Sequence, residues 1–161
     1  MMVPGLVIRP VTPADGADVG ALVDSPDRVE VRLQAAARGA EDMLVAALSS
    51  RIVGAASIRW SDGCDPPNPW LYGLHVATEV RRHGIGRALM AAAEEFARRR
   101  GADHLSLDVD VDEAGAIAFY TALGYSVVRP HRHRWRALDP RTGAVIREGT
   151  APTLIMRRPL Q

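Results

Sequence analysis

Cysteine is nearly absent from this chain: Cys64 is the single one in 161 residues, so no internal disulfide can form and the sequence suits a reducing compartment. Aromatic residues make up only 5%, few for a surface that would stack nucleic-acid bases. Neither sign of charge dominates, because 20 Lys and Arg against 19 Asp and Glu leave a formal +1. That balance offers no net-charge argument for a nucleic-acid binder. No apolar run approaches the roughly 20 residues that a bilayer span requires. The start, MMVPGLVIRP, also lacks a basic region followed by a long apolar stretch. Together these absences imply a cytoplasmic protein with neither a membrane nor a nucleic-acid partner.

The composition is 47% hydrophobic and 24% charged, which implies a folded core and one domain over residues 1–161. A chain of this size buries roughly 68–70% of its unfolded surface, enough for a core without disulfides or structural metal.

Leu6 to Val11 is a short apolar run closed by Thr12, Pro13 and Asp15, the pattern of a strand entering a turn. Val19, Leu22 and Val23 then recur at helical spacing. Ser25 before Pro26 predicts a cap and a second helix, whose buried stripe runs through Val29 and Leu33 up to Gly39. Met43 to Trp60 contains two strand-length apolar runs around Ser49, Ser50 and Arg51, an antiparallel hairpin. The proline-rich stretch Ser61 to Pro69 reads as a surface loop, and Trp70 to Ala77 resumes as a strand with Gly73 a bulge site. Leu89, Met90, Ala93, Phe96 and Ala97 mark a helix closed by Gly101. His104 to Val111 alternates as a strand, and Asp112 is placed to cap a helix closed by Gly124. Tyr125 to Val128 and Pro152 to Met156 complete a β-rich end, with a turn over residues 139–143. The order β-α-α-β-β-β-α-β-α-β-β predicts an α/β fold with a central mixed sheet and helices on both faces.

The most informative stretch is Leu74 to Met90, LHVATEVRRHGIGRALM, a strand followed by a tight loop and at once by a helix. Gly84 and Gly86 carry no Cβ, so backbone N–H groups near the helix N-terminus can surround an anion, with charge added by Arg81, Arg82 or Arg87. The dinucleotide fingerprint and the P-loop ending are both missing.

The run Arg81-Arg82-His83-Gly84-Ile85-Gly86 resembles the signature of the GNAT family of acetyl-CoA-dependent N-acetyltransferases. A second block, SLDVDVDEAGAIAFYTALGYSVV from Ser106 to Val128, is similar to the family at Ala116, Ile117, Tyr120, Gly124 and Tyr125. The resemblance implies that backbone groups of Leu74, His75 and Val76 bond the pantetheine arm of acetyl-CoA. It implies equally that amides from Arg81 through Arg82, His83, Gly84, Ile85 and Gly86 to Arg87 hold the pyrophosphate. The family's chemistry is direct attack of a neutral amine on the thioester, through a tetrahedral intermediate, with release of CoA. Tyr120 matches the family's tyrosine near the thiol, which implies a proton donor to the leaving sulfur. Val76 N–H is implied as the oxyanion donor, and Phe119 as core or a wall of the cofactor cleft.

The general base is not legible. Family members with a glutamate or histidine early in this strand would place it near Trp70 or Tyr72, and neither is a base at neutral pH. His75 has a suitable ordinary pKa, about 6.5, but simple alternation points it away from Trp70 and Tyr72 unless Gly73 forms a bulge. Asp62 and Asp65 on the proline loop could attract a cationic substrate or simply be solvated. Where many family members have an asparagine after the second block, this chain has Asp112 and Glu113. The basic run Arg129 to Arg136, RPHRHRWR, reads as a solvated strand face, and His131 with His133 makes no metal set. The expected partner is a small-molecule or peptide amine, with a homodimer suggested by family precedent. A CoA-binding sensor without turnover is the alternative, and a nucleic-acid role for RPHRHRWR ranks last.

Overall fold

The computed structural model describes residues 3–23, 26–60, 69–139 and 141–160. The described elements are β1 (Leu6–Pro10), α1 (Gly16–Val23), α2 (Pro26–Ala37), β2 (Glu41–Leu48), β3 (Arg51–Arg59), β4 (Trp70–Val76), α3 (Ile85–Arg99), β5 (His104–Asp110), α4 (Ala114–Ala122), β6 (Ser126–Leu138) and β7 (Val145–Pro159). Their order is the one the apolar periodicities predict. Contacts divide the chain into two compact units, one running to Leu105 with the residues from Pro159 onward, the other Ser106–Arg158.

In the first unit β1, β2, β3 and β4 pair antiparallel in sequence order. The β2–β3 turn carries Ser49 and Ser50 at φ 51° and 67°. Both are left-handed, which matches the twist of a tight hairpin. One sheet face packs Val45, Met43 and Ala55 against Val19 of α1 and Val29 of α2. The opposite face receives α3, since a Cβ on Gly54 would stand 2.9 Å from Leu89 and 3.4 Å from Ala46. Before α1 the expected turn is a 3-10 helix, Pro13–Asp15. Asp15 accepts from Arg9 at 2.8 and 2.9 Å and from the Thr12 amide at 2.7 Å. The Arg9 guanidinium holds the Asp15 carboxyl well below the usual carboxylate range.

In the second unit β6 and β7 form a hairpin that pairs from Ser126↔Arg157 to Leu138↔Val145. These strands are far longer than Tyr125–Val128 and Pro152–Met156, because Arg, His and Thr supply polar faces that an apolar-run criterion passes over. Arg129 to Arg136 lies within β6, with its arginines exposed. Tyr125 precedes the strand and is buried. The cap expected at Asp112 is not formed: α4 begins at Ala114 after Glu113, and no side chain caps it. The Glu113 amide instead donates to the Asp110 carbonyl at 3.0 Å. The cap proposed at Ser25 lies outside the described residues.

Candidate active site

Gly73 sets which side chains of β4 share a face. Tyr72 pairs with Ser57 and His75 with Ala55, so two residues of β4, Gly73 and Leu74, stand opposite Ala56 alone. Gly73 sits at φ 66°, a left-handed conformation that glycine adopts without strain. The bulge inverts the alternation. Arg59, Ser57 and Ala55 share one face of β3, so their partners Trp70, Tyr72 and His75 share one face of β4. His75 therefore lies with Trp70 and Tyr72, as the sequence allowed only with a bulge.

That face is strongly charged. Arg32 comes down from α2, 8% exposed, and donates to Ser57 Oγ from Nε at 2.9 Å and from Nη2 at 2.6 Å. Its guanidinium lies 5.2 Å from the Tyr72 ring centroid, and that of Arg59 lies 5.1 Å from the same ring. The Tyr72 hydroxyl donates to Glu41 on β2. Burial and then that bond push the Tyr72 phenol up to about 12. His75 is exposed, yet partial desolvation, and after it the charges of Arg32 and Arg81, lower its pKa below the ordinary 6.5. A neutral imidazole results at neutral pH. Trp70 is buried and belongs to the packed base of the strand.

The loop after β4 leads into α3 through a row of backbone N–H groups without backbone acceptors among the described residues. Thr78–Val80 forms a 3-10 turn that ends with the Arg81 amide on the Thr78 carbonyl at 3.4 Å. Arg81 is thus engaged twice, since its Nε also donates to the Val76 carbonyl at 3.1 Å. This removes the Arg81 amide from the row expected to hold pyrophosphate. Arg82 and Gly84 adopt φ 67° and 82°, and the first helical bond is Ala88 N–H to Gly84 O at 3.0 Å. Among the described residues the amides from Arg82 to Arg87 donate to no backbone carbonyl, and no side chain caps α3. Gly86 lies within the first turn of α3, not ahead of it. The residues present therefore fit a phosphate-bearing ligand: open N–H donors, a helix N-terminus, and Arg82 and Arg87 nearby.

Tyr120 lies in the second unit, on α4, half-buried, with its ring edge-on to Phe119 at 5.1 Å and to Tyr125 at 5.9 Å. Burial, and secondarily the Asp108 carboxylate, push its phenol up to about 12. It is protonated throughout the neutral range. Asp62 and Asp65 lie outside the described residues.

Sequence reasoning missed Arg32, Glu41, Ser57 and Arg59. They sit on three elements that the chain separates, and only strand register aligns them. The one signal that bore on them was the glycine at position 73.

Known proteins similar to this chain share its family and fold. The family model described as the acetyltransferase (GNAT) family matches residues 18–125. The [ribosomal protein bS18]-alanine N-acetyltransferase of Escherichia coli is 33% identical over 76 residues, 47% of this chain. The match takes in 51% of that relative, so the chain spans about half its length. An aminoglycoside N(6')-acetyltransferase type 1 of Stenotrophomonas maltophilia is 33% identical over 130 residues, 73% of this chain and 84% of that protein. Among solved structures, a GNAT family acetyltransferase from Elizabethkingia anophelis with acetyl-CoA bound has a TM-score of 0.69 at 14% identity, covering 98% of this chain and 99% of that one. The α/β fold, the glycine loop and these matches meet in one conclusion: the chain belongs to the GNAT family of acetyltransferases.

Proposed function

We propose that this chain is an acetyl-CoA-dependent N-acetyltransferase that acetylates a primary amine by direct attack. The observation that carries the reading is the row of open amides from Arg82 to Arg87 at the uncapped N-terminus of α3. Those amides, with Gly84 and Gly86 allowing close approach, would hold the pyrophosphate, and backbone groups of Leu74, His75 and Val76 the pantetheine arm. Acetyl-CoA supplies an activated acyl group on a thiol leaving group. Val76 N–H serves as the oxyanion donor. His75, neutral and on the face shared with Tyr72, takes the proton of the ammonium directly or through one water. Tyr120, protonated, gives a proton to the departing sulfur. Phe119 lines the cofactor cleft beside it.

Calorimetric titration with acetyl-CoA, with NAD and ATP as controls, tests the reading. Selective binding near −8 kcal/mol, a micromolar Kd, followed by thiol release with amines, is the expected result. A folded sample that ignores acetyl-CoA would overturn it, and binding without turnover on any amine would favour a CoA sensor.

Two variants separate the proton roles. Tyr120→Phe is expected to lower kcat about tenfold while leaving the acetyl-CoA Kd unchanged; thiolate is already a good leaving group, so the effect lies below the ~10²–10⁴ typical of acid–base catalysis. A changed Kd with intact kcat would make Tyr120 a binding residue. The wild-type kcat at saturating amine should fall off only as pH drops below 6.5, through the depressed His75 pKa, because the base must be neutral to act. His75→Gln should lower kcat and abolish that limb. A limb that survives the substitution would remove His75 from the proton path.

A further inference from the structure

Among the described residues β6 ends the sheet order, with β7 as its strand partner. Its 13 residues, SVVRPHRHRWRAL, include four arginines and no acid. The pairing runs unbroken from Arg129↔Ile155 to Ala137↔Arg147, so alternation puts Arg132, Arg134 and Arg136 on one face and His131, His133 and Trp135 on the other. On the first face Arg132 Nη1 donates to Oγ1 of Thr150, the partner of Arg134, at 3.4 Å. On the second, His133 lies 3.6 Å from Asp108 of β5. The three arginines are exposed and recur every ~6.8 Å along the strand. β7 contributes one acid, Glu148, opposite Arg136. β5 ends at Asp110, and the next residue, Val111, donates to the Pro152 carbonyl at 3.3 Å. Residues 145–151 of β7 run on past that point beside β6, with Val145 and Ile146 exposed. A two-stranded ribbon is marginal in water, and a third strand stabilises it.

We infer that the edge of β6 docks an extended acidic segment of a partner protein, which adds a strand beside residues 131–137 and sets an acid at every second position against Arg132, Arg134 and Arg136. An edge strand turns alternate N–H and C=O groups outward, and a peptide backbone is their complement. Pro130 has no N–H to offer, so the added pairing starts beyond it. Side chains of an added strand fall on the same two faces as those of β6, with opposed Cβ atoms about 4.5–5.5 Å apart. Carboxylates on one face then meet guanidinium groups, and the residues between them lie with His131, His133 and Trp135. A second copy of this chain suits the edge poorly, because two β6 strands side by side would bring their arginine rows onto one face, and like charges directly opposed are destabilising. A nucleic acid would engage the arginines but leave the backbone edge without its complement.

Fluorescence anisotropy with labelled peptides, titrated with the full chain in the absence of acetyl-CoA, tests the inference apart from the acetyltransferase reading. The alternating peptide TETETET is expected to bind about tenfold more tightly than TTTTEEE, which has the same composition and charge. Its fully N-methylated form, which keeps the carboxylates and loses every backbone N–H, should bind at least tenfold more weakly than TETETET. Arg132→Ala with Arg134→Ala, both at exposed positions, should bring TETETET down to the affinity of TTTTEEE with Tm unchanged. The peptide comparison is read on the wild-type chain, so a misfolded variant leaves the test intact. Equal binding of the two sequences, or binding undiminished by N-methylation, would reduce the edge to a diffuse positive charge and overturn the inference. Tighter binding of a seven-nucleotide oligouridylate would overturn it in favour of a nucleic acid, and absence of peptide binding would overturn it outright.

Discussion

Replacing Gly86 by glutamate is expected to weaken acetyl-CoA binding by about 100-fold or more without unfolding the protein. Gly86 lies in the first turn of α3, among the amides that donate to no backbone carbonyl. A carboxylate there would stand within roughly 5 Å of a bound pyrophosphate, a repulsion of about 3 kcal/mol per charge pair at an effective dielectric near 20. Each 1.4 kcal/mol is tenfold, so affinity falls by about two decades or more. Stability should move the other way. Glutamate is a better helix former than glycine by about 0.5–1 kcal/mol, and an acid in the first turn complements the helix dipole. The combination of lost binding with an unchanged or raised Tm is therefore the signature to look for by calorimetry and thermal melting. Unaltered affinity would take the pyrophosphate away from this loop.

The second large effect is on stability. Gly73→Ala is expected to lower Tm by roughly 6–12 °C, about 3 kcal/mol in a chain of this size. Two costs add. At φ 66° a Cβ is strained by about 1–2 kcal/mol, and that Cβ would lie 2.8 Å from Arg32 Nη2 and 2.9 Å from its Cζ. Relief would require Arg32 to leave the Ser57 hydroxyl, and a buried guanidinium that loses its acceptor costs a further ~1–3 kcal/mol. Gly39→Ala is the control: its φ is 78° and a Cβ there meets nothing within 4 Å, so only the backbone term should appear. If the two substitutions cost the same, the Arg32 contact contributes nothing. In an Arg32→Met background the excess cost of Gly73→Ala should shrink, which isolates the coupling between the two residues.

The order of the elements was legible because it depends on local periodicity. The apolar spacing through Leu89, Met90, Ala93 and Ala97 and the punctuation at Gly101 are short-range signals, and α3 with its left-handed Gly101 follows them. The glycine loop was legible for the same reason, since Gly84 acts through its own φ of 82°. The length of β6 and β7 was not. Their stability comes from cross-strand pairing such as Arg134↔Thr150 and Trp135↔Gly149, which no run of either strand reveals alone.

By itself, then, the sequence determined the class of fold and the family, and it located the glycine loop proposed to hold an anion, all of them properties written in contiguous residues. Only the tertiary structure decided which side chains meet. Strand pairing set the face of His75, because one extra residue at Gly73 reverses every side chain beyond it. Packing of α2 on the sheet then brought Arg32 to Tyr72, Ser57 and the neighbourhood of Arg59 and Glu41, residues drawn from α2, β2, β3 and β4. An alternation rule read along one strand has no access to such a register shift, and a charge count over the whole chain does not say which charged side chains one sheet face brings together.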